Sequence, residues 1–242
     1  MGFAGEIHNE SLRIPKAQIP NPVRIEATFV RSAAGAADLP QDGLAEIAMV
    51  GRSNVGKSSL INALARQRVA RTSAAPGKTR LANIYRVVRG GARGGSEPFY
   101  LVDLPGYGYA RGGRAAAAEF DALTRDYFAR GVAAGLLLVD LRHPGLESDR
   151  AAWQWIHPAA VDAAVVATKI DKLTRGERIR AVRELESVFE DSVLPVSAVT
   201  GEGLDELWKL IDRLRRRRSS PLPGNPRNPV ATDRPPRHHR KS

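Results

Sequence analysis

Residues 44–62, LAEIAMVGRSNVGKSSLIN, restrict what this chain can fold into more than any other stretch. An apolar run opens the segment and predicts a buried strand. A G-x-x-x-x-G-K-S loop follows, and the loop opens a helix. The loop is Gly51, Arg52, Ser53, Asn54, Val55, Gly56, Lys57 and Ser58, with Ser59 continuing into the helix. Successive backbone N–H groups at a helix N-terminus surround an anion that an apolar site could not hold. Gly51 and Gly56 let the main chain bend and approach phosphates. Lys57 can reach the β- and γ-phosphates, and the Ser58 hydroxyl can ligate Mg²⁺. The expectation is an α/β domain that binds a nucleoside triphosphate.

The length of 242 residues fits one such domain with tails. No stretch offers the eighteen or so consecutive apolar residues that span a bilayer. The start, MGFAGEIHNE, lacks the basic opening and apolar run of an export signal. With no cysteine there are no disulfides and no thiolate metal sites. These readings make cytoplasm the expected compartment, without membrane association. The formal charge of +11 is unevenly spread. Residues 213–242 carry ten basic side chains against one acidic, which leaves about +2 for the rest. Attraction to a polyanion is therefore a property of the terminus.

Along the chain, residues 1–22 read as an extended lead-in, 23–215 as the folded domain and 216–242 as a basic, Pro/Arg-rich disordered tail. Strand patterns fall at 23–30, in the first half of 44–62, and at 80–88, 98–102, 135–140, 161–168 and 192–196. The Gly-rich stretch 90–95 reads as a hairpin connection, which places one antiparallel strand in a mostly parallel sheet. Helices are expected after the phosphate loop and at 115–130, 148–156 and 174–189, with a terminal one from Leu204 to Leu214 that Arg215 can extend. Thr174 can cap its helix, with Glu177 reciprocating. The fold class is α/β, three layers around a mostly parallel sheet.

Four further segments fall where such a sheet places its ligand, at the carboxyl ends of strands. The first is Asp103, Leu104, Pro105 and Gly106. Asp103 can hold Mg²⁺ through water, and the Gly106 N–H can meet a γ-phosphate. In the second, Thr168, Lys169 and Asp171, the Asp171 carboxylate can accept from guanine N1–H and the exocyclic amine, neither of which adenine presents. Lys169 can lay its stem across the base. The third is Ser197 and Ala198, where the Ala198 N–H meets guanine O6 and Ser197 supports the loop. The fourth is Pro76, Gly77, Lys78 and Thr79, whose Thr79 hydroxyl is a candidate second Mg²⁺ ligand. Their order after separate strands favours GTP over ATP.

These motifs resemble those of the bacterial ribosome-biogenesis GTP-binding proteins, within the translation-factor-related GTPases. The resemblance runs over about 27–215 through FVRSA, LAEIAMVGRSNVGKSSLINAL, RTSAAPGKTR, LVDLPGYGYA, VDLRHPG, ATKIDKLTRGE and VSAVTGEGLDEL. It implies a single GTPase domain with a six-stranded mixed sheet, GTP and Mg²⁺ binding, weak intrinsic hydrolysis, a monomer, and a role in assembling the large ribosomal subunit. Ser58, Thr79 and Asp103 are its metal candidates, and Lys57, Thr79 and Gly106 its catalytic ones. The family commonly has Gln after the switch Thr, where this chain has Arg80. In related GTPases an Asn at the place of Asn54 helps coordinate K⁺; the residue can equally brace the loop.

The expected chemistry is in-line attack of water on the γ-phosphate, with charge stabilised by Lys57, Mg²⁺ and backbone donors. Tyr107 stands where several small GTPases have Gln, and a phenol is a poor base at neutral pH. The basic tail suits ribosomal RNA, because cations release counterions from phosphates without reading sequence. A regulatory module acting on a protein target, with no ribosomal role, shares every nucleotide residue.

Overall fold

The structure is a computed structural model, and it describes residues 23–71, 81–91, 94–95, 97–107, 123–130 and 133–217. Eight strands form its sheet: β1 (Ile25–Ala33), β2 (Ala45–Gly51), β3 (Ala82–Gly91), β4 (Gly94–Gly95), β5 (Phe99–Asp103), β6 (Ala133–Asp140), β7 (Asp162–Thr168) and β8 (Val193–Pro195). Their order is β1-β3-β5-β2-β6-β7-β8, with β4 paired to β3. β2 runs parallel to both β5 and β6, and β7 and β8 continue the parallel set. β3 is antiparallel to β1 and to β5, so on this path it alone opposes the others.

The class is as expected, but six strands are too few. The difference is two strands: the short β4, and β1, which pairs with β3 from Ile25↔Arg89 to Ala33↔Ala82 around an irregularity between Phe29 and Arg31. The hairpin expected at 90–95 is present in the pairs Gly90↔Gly95 and Gly91↔Gly94.

Four helices are complete: α1 (Lys57–Ala65), α2 (Glu147–Ala159), α3 (Arg175–Phe189) and α4 (Leu204–Arg217). Residues 123–129 are also helical; the rest of the helix expected at 115–130 falls largely outside the described residues. Helix α2 is longer than the 148–156 read from its pattern, because Pro158 falls in the last turn. There the missing N–H removes only a terminal hydrogen bond. The start of α3 forms the capping box: Thr174 accepts from the Glu177 N–H, and the Glu177 carboxylate accepts from the Thr174 N–H at 2.8 Å. Helix α4 runs past 215 to Arg217, extending the terminal helix as Arg215 allows.

Alternation along β2 explains the three layers. Ala48 and Val50 join Val102, Leu137, Val139 and Val165 under Tyr127, Phe128, Trp153, Ile156, Leu185 and Phe189. Ile47 and Met49 join Leu101, Leu136 and Leu138 on the other face, under Leu60, Ile61 and Leu64 of α1 and Leu207, Trp208 and Ile211 of α4. Each fully buried aliphatic side chain stabilises the fold by about 1.5–3 kcal/mol relative to exposure. Truncating Leu60, at the centre of the second layer, should cost about 2–5 kcal/mol.

The chain leaves β2 toward β5 on one side and later adds β6 on the other. β2 is thus the switch point of the sheet, where the crevice at the strand ends opens.

Candidate nucleotide site

The phosphate loop joins the end of β2 to α1. Gly56 has φ 112°, a left-handed conformation that side chains rarely adopt, and it precedes a helix with no side-chain cap. The first N–H groups of α1 are thus left for an anion. Gly51 meets a packing constraint that the sequence does not show. A Cβ there would lie 2.7 Å from the Leu138 carbonyl oxygen and 2.8 Å from Val55 Cγ1. Close packing of β2 on β6 and of the loop on itself therefore also requires glycine here.

Lys57 turns back over the loop and donates to the Gly51 carbonyl at 3.2 Å, and its Nζ lies 4.0 Å from Asp103 Oδ1. Burial pushes the ammonium pKa down, against the pull of Asp103. Burial likewise pushes the Asp103 carboxyl up, against Lys57 and Ser58. The residues present fit Mg²⁺. Ser58 Oγ donates to Asp103 Oδ2 at 3.0 Å, and the buried Asp103 Oδ1 has no hydrogen-bond partner among the described residues. A hydroxyl, a carboxylate and phosphate oxygens form the hard-oxygen set that this ion takes. Thr79, its proposed second hydroxyl, lies outside the described residues with Pro76, Gly77 and Lys78.

The base end is built from the turns after β7 and β8. Ser197 is fully buried; its hydroxyl donates to Asp171 Oδ1 at 2.7 Å and accepts from the N–H groups of Val199 and Thr200. The hydrogen bond from Ser197, helped by Lys172, holds the Asp171 carboxyl below its ordinary pKa. Asp171 thus stays ionised as an acceptor, and Ser197 supports the loop as expected. Ala198 follows directly in the same turn.

Lys169 connects the two ends. In a left-handed conformation (φ 61°), it donates from Nζ to the Asn54 carbonyl at 2.6 Å and to Asp140 Oδ2 at 2.9 Å. The Thr168 hydroxyl lies 2.7 Å from the Val55 carbonyl oxygen, bracing the loop from below. Asp140 went unassigned in the sequence reading. Burial pushes its carboxyl up, but hydrogen bonds from Arg142 and Lys169 outweigh this and hold it well below the usual range. An apolar strand ending in an acid was its only signal.

The Asp103–Gly106 turn packs against the phosphate loop. Arg52 and Tyr107 form a parallel bridge, and the Ser53 N–H donates to the Tyr107 carbonyl at 3.3 Å. A Cβ on Gly106 would come within 2.7 Å of the Ser53 nitrogen, so only glycine fits. The Tyr107 hydroxyl donates to Asp149 Oδ1 at 2.8 Å, and Arg52 Nε donates to the same oxygen at 3.1 Å. Burial and Asp149 both push the phenol pKa up, which agrees with leaving it out of base catalysis. Asp149, in the first turn of α2, carried no motif that would have drawn attention to it.

A family model described as "50S ribosome-binding GTPase" matches residues 46–169, the phosphate loop through Lys169. Among curated relatives, the probable GTP-binding protein EngB of Heliobacterium modesticaldum is 41% identical over 197 residues, covering 77% of this chain and 91% of the relative. That of Symbiobacterium thermophilum is 42% identical over 220 residues, covering 77% and 94%. A crystal structure of a probable EngB protein aligns with TM-score 0.54 and 22% identity over 72% of this chain and all of the other. Era, crystallised with MgGDPNP and a piece of 16S ribosomal RNA, aligns with TM-score 0.60 and 24% identity, over 71% of this chain and 56% of that one. The structural likenesses establish the shared fold. The sequence matches span the loop, the Asp103 turn and the Lys169 segment that meet in this crevice, and they show that the chain belongs to the EngB family of GTP-binding proteins.

Proposed function

We propose that this chain is a GTP-hydrolysing switch that assists assembly of the large ribosomal subunit in the cytoplasm. The observation that carries the nucleotide reading is the span of Lys169 from the Asp171 turn to the Asn54 carbonyl. It makes the base end and the phosphate end one site. The ribosomal part rests on the description of the matched family. No helix among the described residues is long and apolar enough to cross a membrane.

In this reading Asp171 selects guanine by accepting from N1–H and the exocyclic amine, and the Ala198 N–H meets O6. Loop N–H groups and Lys57 hold the phosphates. The Gly106 N–H reports the terminal one. Ser58 and Asp103, with Thr79, would hold Mg²⁺, which would neutralise phosphate charge. Water attacks the γ-phosphorus in line, and Lys57, the loop and Gly106 stabilise the charge that develops. Tyr107, committed to Asp149, positions no water, so intrinsic turnover is slow and a bound partner speeds it.

Asn54 sits at φ 63°, a conformation that Asn tolerates better than most residues, so its backbone alone gives Asn a place in the loop. Exchanging K⁺ for Na⁺ at fixed ionic strength tests the other role: a changed hydrolysis rate would assign Asn54 to the cation.

The deciding experiment is co-sedimentation with free large subunits in GTP and in GDP. Retention in GTP and release in GDP is expected. Equal absence in both would shift the function to a protein target. The Arg/Pro tail is read as an electrostatic anchor to ribosomal RNA; an unaltered salt slope of RNA binding after its removal would refute that part.

A further inference from the structure

One carboxylate oxygen, Asp149 Oδ1, receives both the phosphate-loop side chain of Arg52 and the hydroxyl of Tyr107. Asp149 is 1% exposed, and its other oxygen is buried without a hydrogen-bond partner among the described residues. A buried carboxylate so arranged is a poor source of stability, because desolvation offsets much of what its partners return. Burial indeed pushes this carboxyl up despite Tyr107 and Arg52. What the arrangement does supply is position. Tyr107 is fixed at its carbonyl by the Ser53 N–H and at its hydroxyl by α2, and Gly106 is its immediate neighbour.

We infer that Tyr107 and Asp149 are positioning residues for the terminal phosphate, setting how strongly the site prefers triphosphate over diphosphate. The inference rests on the reading of Gly106 as the γ-phosphate donor. Loop N–H groups and Lys57 hold the diphosphate, and the Tyr107 hydroxyl lies outside that set. The Gly106 N–H belongs to the peptide one residue before Tyr107, so loosening the ring at Asp149 loosens this donor. Ordering that the free protein has already completed does not have to be supplied when triphosphate binds.

The test uses the full chain with Mg²⁺ and compares dissociation constants for GDP and GMPPNP. Tyr107→Phe keeps the ring and removes only the hydroxyl. It should weaken GMPPNP by about ten-fold, as expected for a hydrogen bond to a charged acceptor, and change GDP by less than about two-fold. Asp149→Ala should lower the GMPPNP-to-GDP preference by the same factor, with any loss from releasing Arg52 falling on both nucleotides. In that preference the double variant should be no worse than Asp149→Ala alone, since the Tyr107 hydroxyl has already lost its acceptor. Asp149→Asn, which retains an acceptor for Tyr107, should recover most of the preference. Equal weakening of both nucleotides by Tyr107→Phe, or no weakening, overturns the inference; so does additivity in the double variant. Should Asp149→Ala fail to fold, Tyr107→Phe decides alone. If the unmodified chain holds neither guanine nucleotide, the site reading itself is wrong. If it holds both and Tyr107→Phe leaves their ratio unchanged, only the positioning role falls.

Discussion

The two ends of the nucleotide crevice are built on opposite electrostatic terms. At the base end, the polar groups of the Ser197 turn satisfy one another: its hydroxyl serves Asp171, Val199 and Thr200. At the phosphate end, Lys57 and Asp103 are both buried, each displaced by burial toward its neutral form, and Asp103 Oδ1 lacks a hydrogen-bond partner among the described residues. The base end uses its polar groups to hold a shape. The phosphate end keeps charge in poor solvent, where an incoming phosphate or Mg²⁺ gains most from meeting it. Stability and affinity should therefore move together at one end and separately at the other.

The largest effect should come from Lys57→Met. Affinity for GTP and GDP should fall by about 100-fold, equivalent to ~2.7 kcal/mol, in isothermal titration. The melting temperature of the nucleotide-free protein should shift by no more than about 3 °C, because Asp103, already displaced by burial toward its neutral form, takes up a proton when the ammonium is removed. A large drop in stability would break the comparison at its stronger side. Next, Asp171→Asn should narrow the preference for GDP over ADP by about 30-fold in competition, since a site built to pair N–H donors discriminates strongly. Unchanged selectivity would remove the assignment of Asp171.

Ser197→Ala should come third. Losing one donor and its acceptor role should weaken GDP and GTP alike by about ten-fold and destabilise the fold by about 1–3 kcal/mol, read by urea unfolding. Movement of affinity without stability would contradict the account of the base end. The smallest effect concerns Asp140. Its folded pKa is depressed, so its contribution is present above its unfolded pKa of about 3.9 and is lost as pH falls through the lower folded value. Urea midpoints measured from pH 6 down to pH 3 should fall less steeply in Asp140→Asn than in the unmodified protein. Identical slopes would mean that the Lys169–Asp140 contact contributes nothing to holding the two ends together.

Legibility differed between the ends for a physical reason. Contiguous motifs carry the phosphate loop, the Asp103 turn and the Asp171 turn, because a run of backbone donors or a carboxylate at a strand end needs local sequence. The strands were legible from apolar runs bounded by turns, and the Thr174 cap from its partner three residues on. What went unread joins residues far apart in the chain. Asp149 is 97 residues from Arg52, and Asp140 is 29 from Lys169. Single acids of this kind have no pattern until the sheet order places them. Gly51 illustrates a motif residue with a second constraint that only the fold reveals, since its neighbour is the Leu138 carbonyl on β6. The sheet count differs for a like reason: seven strand segments show in the pattern against the six that the resemblance implies, and the two-residue β4 is too short to carry a pattern.

Arg215 ties the last described helix to the sheet. Its guanidinium lies 5.5 Å from the Phe99 ring centroid, its NH1 donates to the Glu97 carbonyl at 2.9 Å, and its Nε lies 3.0 Å from Asp212 Oδ1. Asp212 also receives Arg89 from β3. The first arginine of the cationic run is consequently mortar between helix and sheet. Shortened chains meant to isolate the polyelectrolyte should stop beyond Arg217, since a cut after Leu214 would loosen the far side of the sheet and be mistaken for lost RNA attraction.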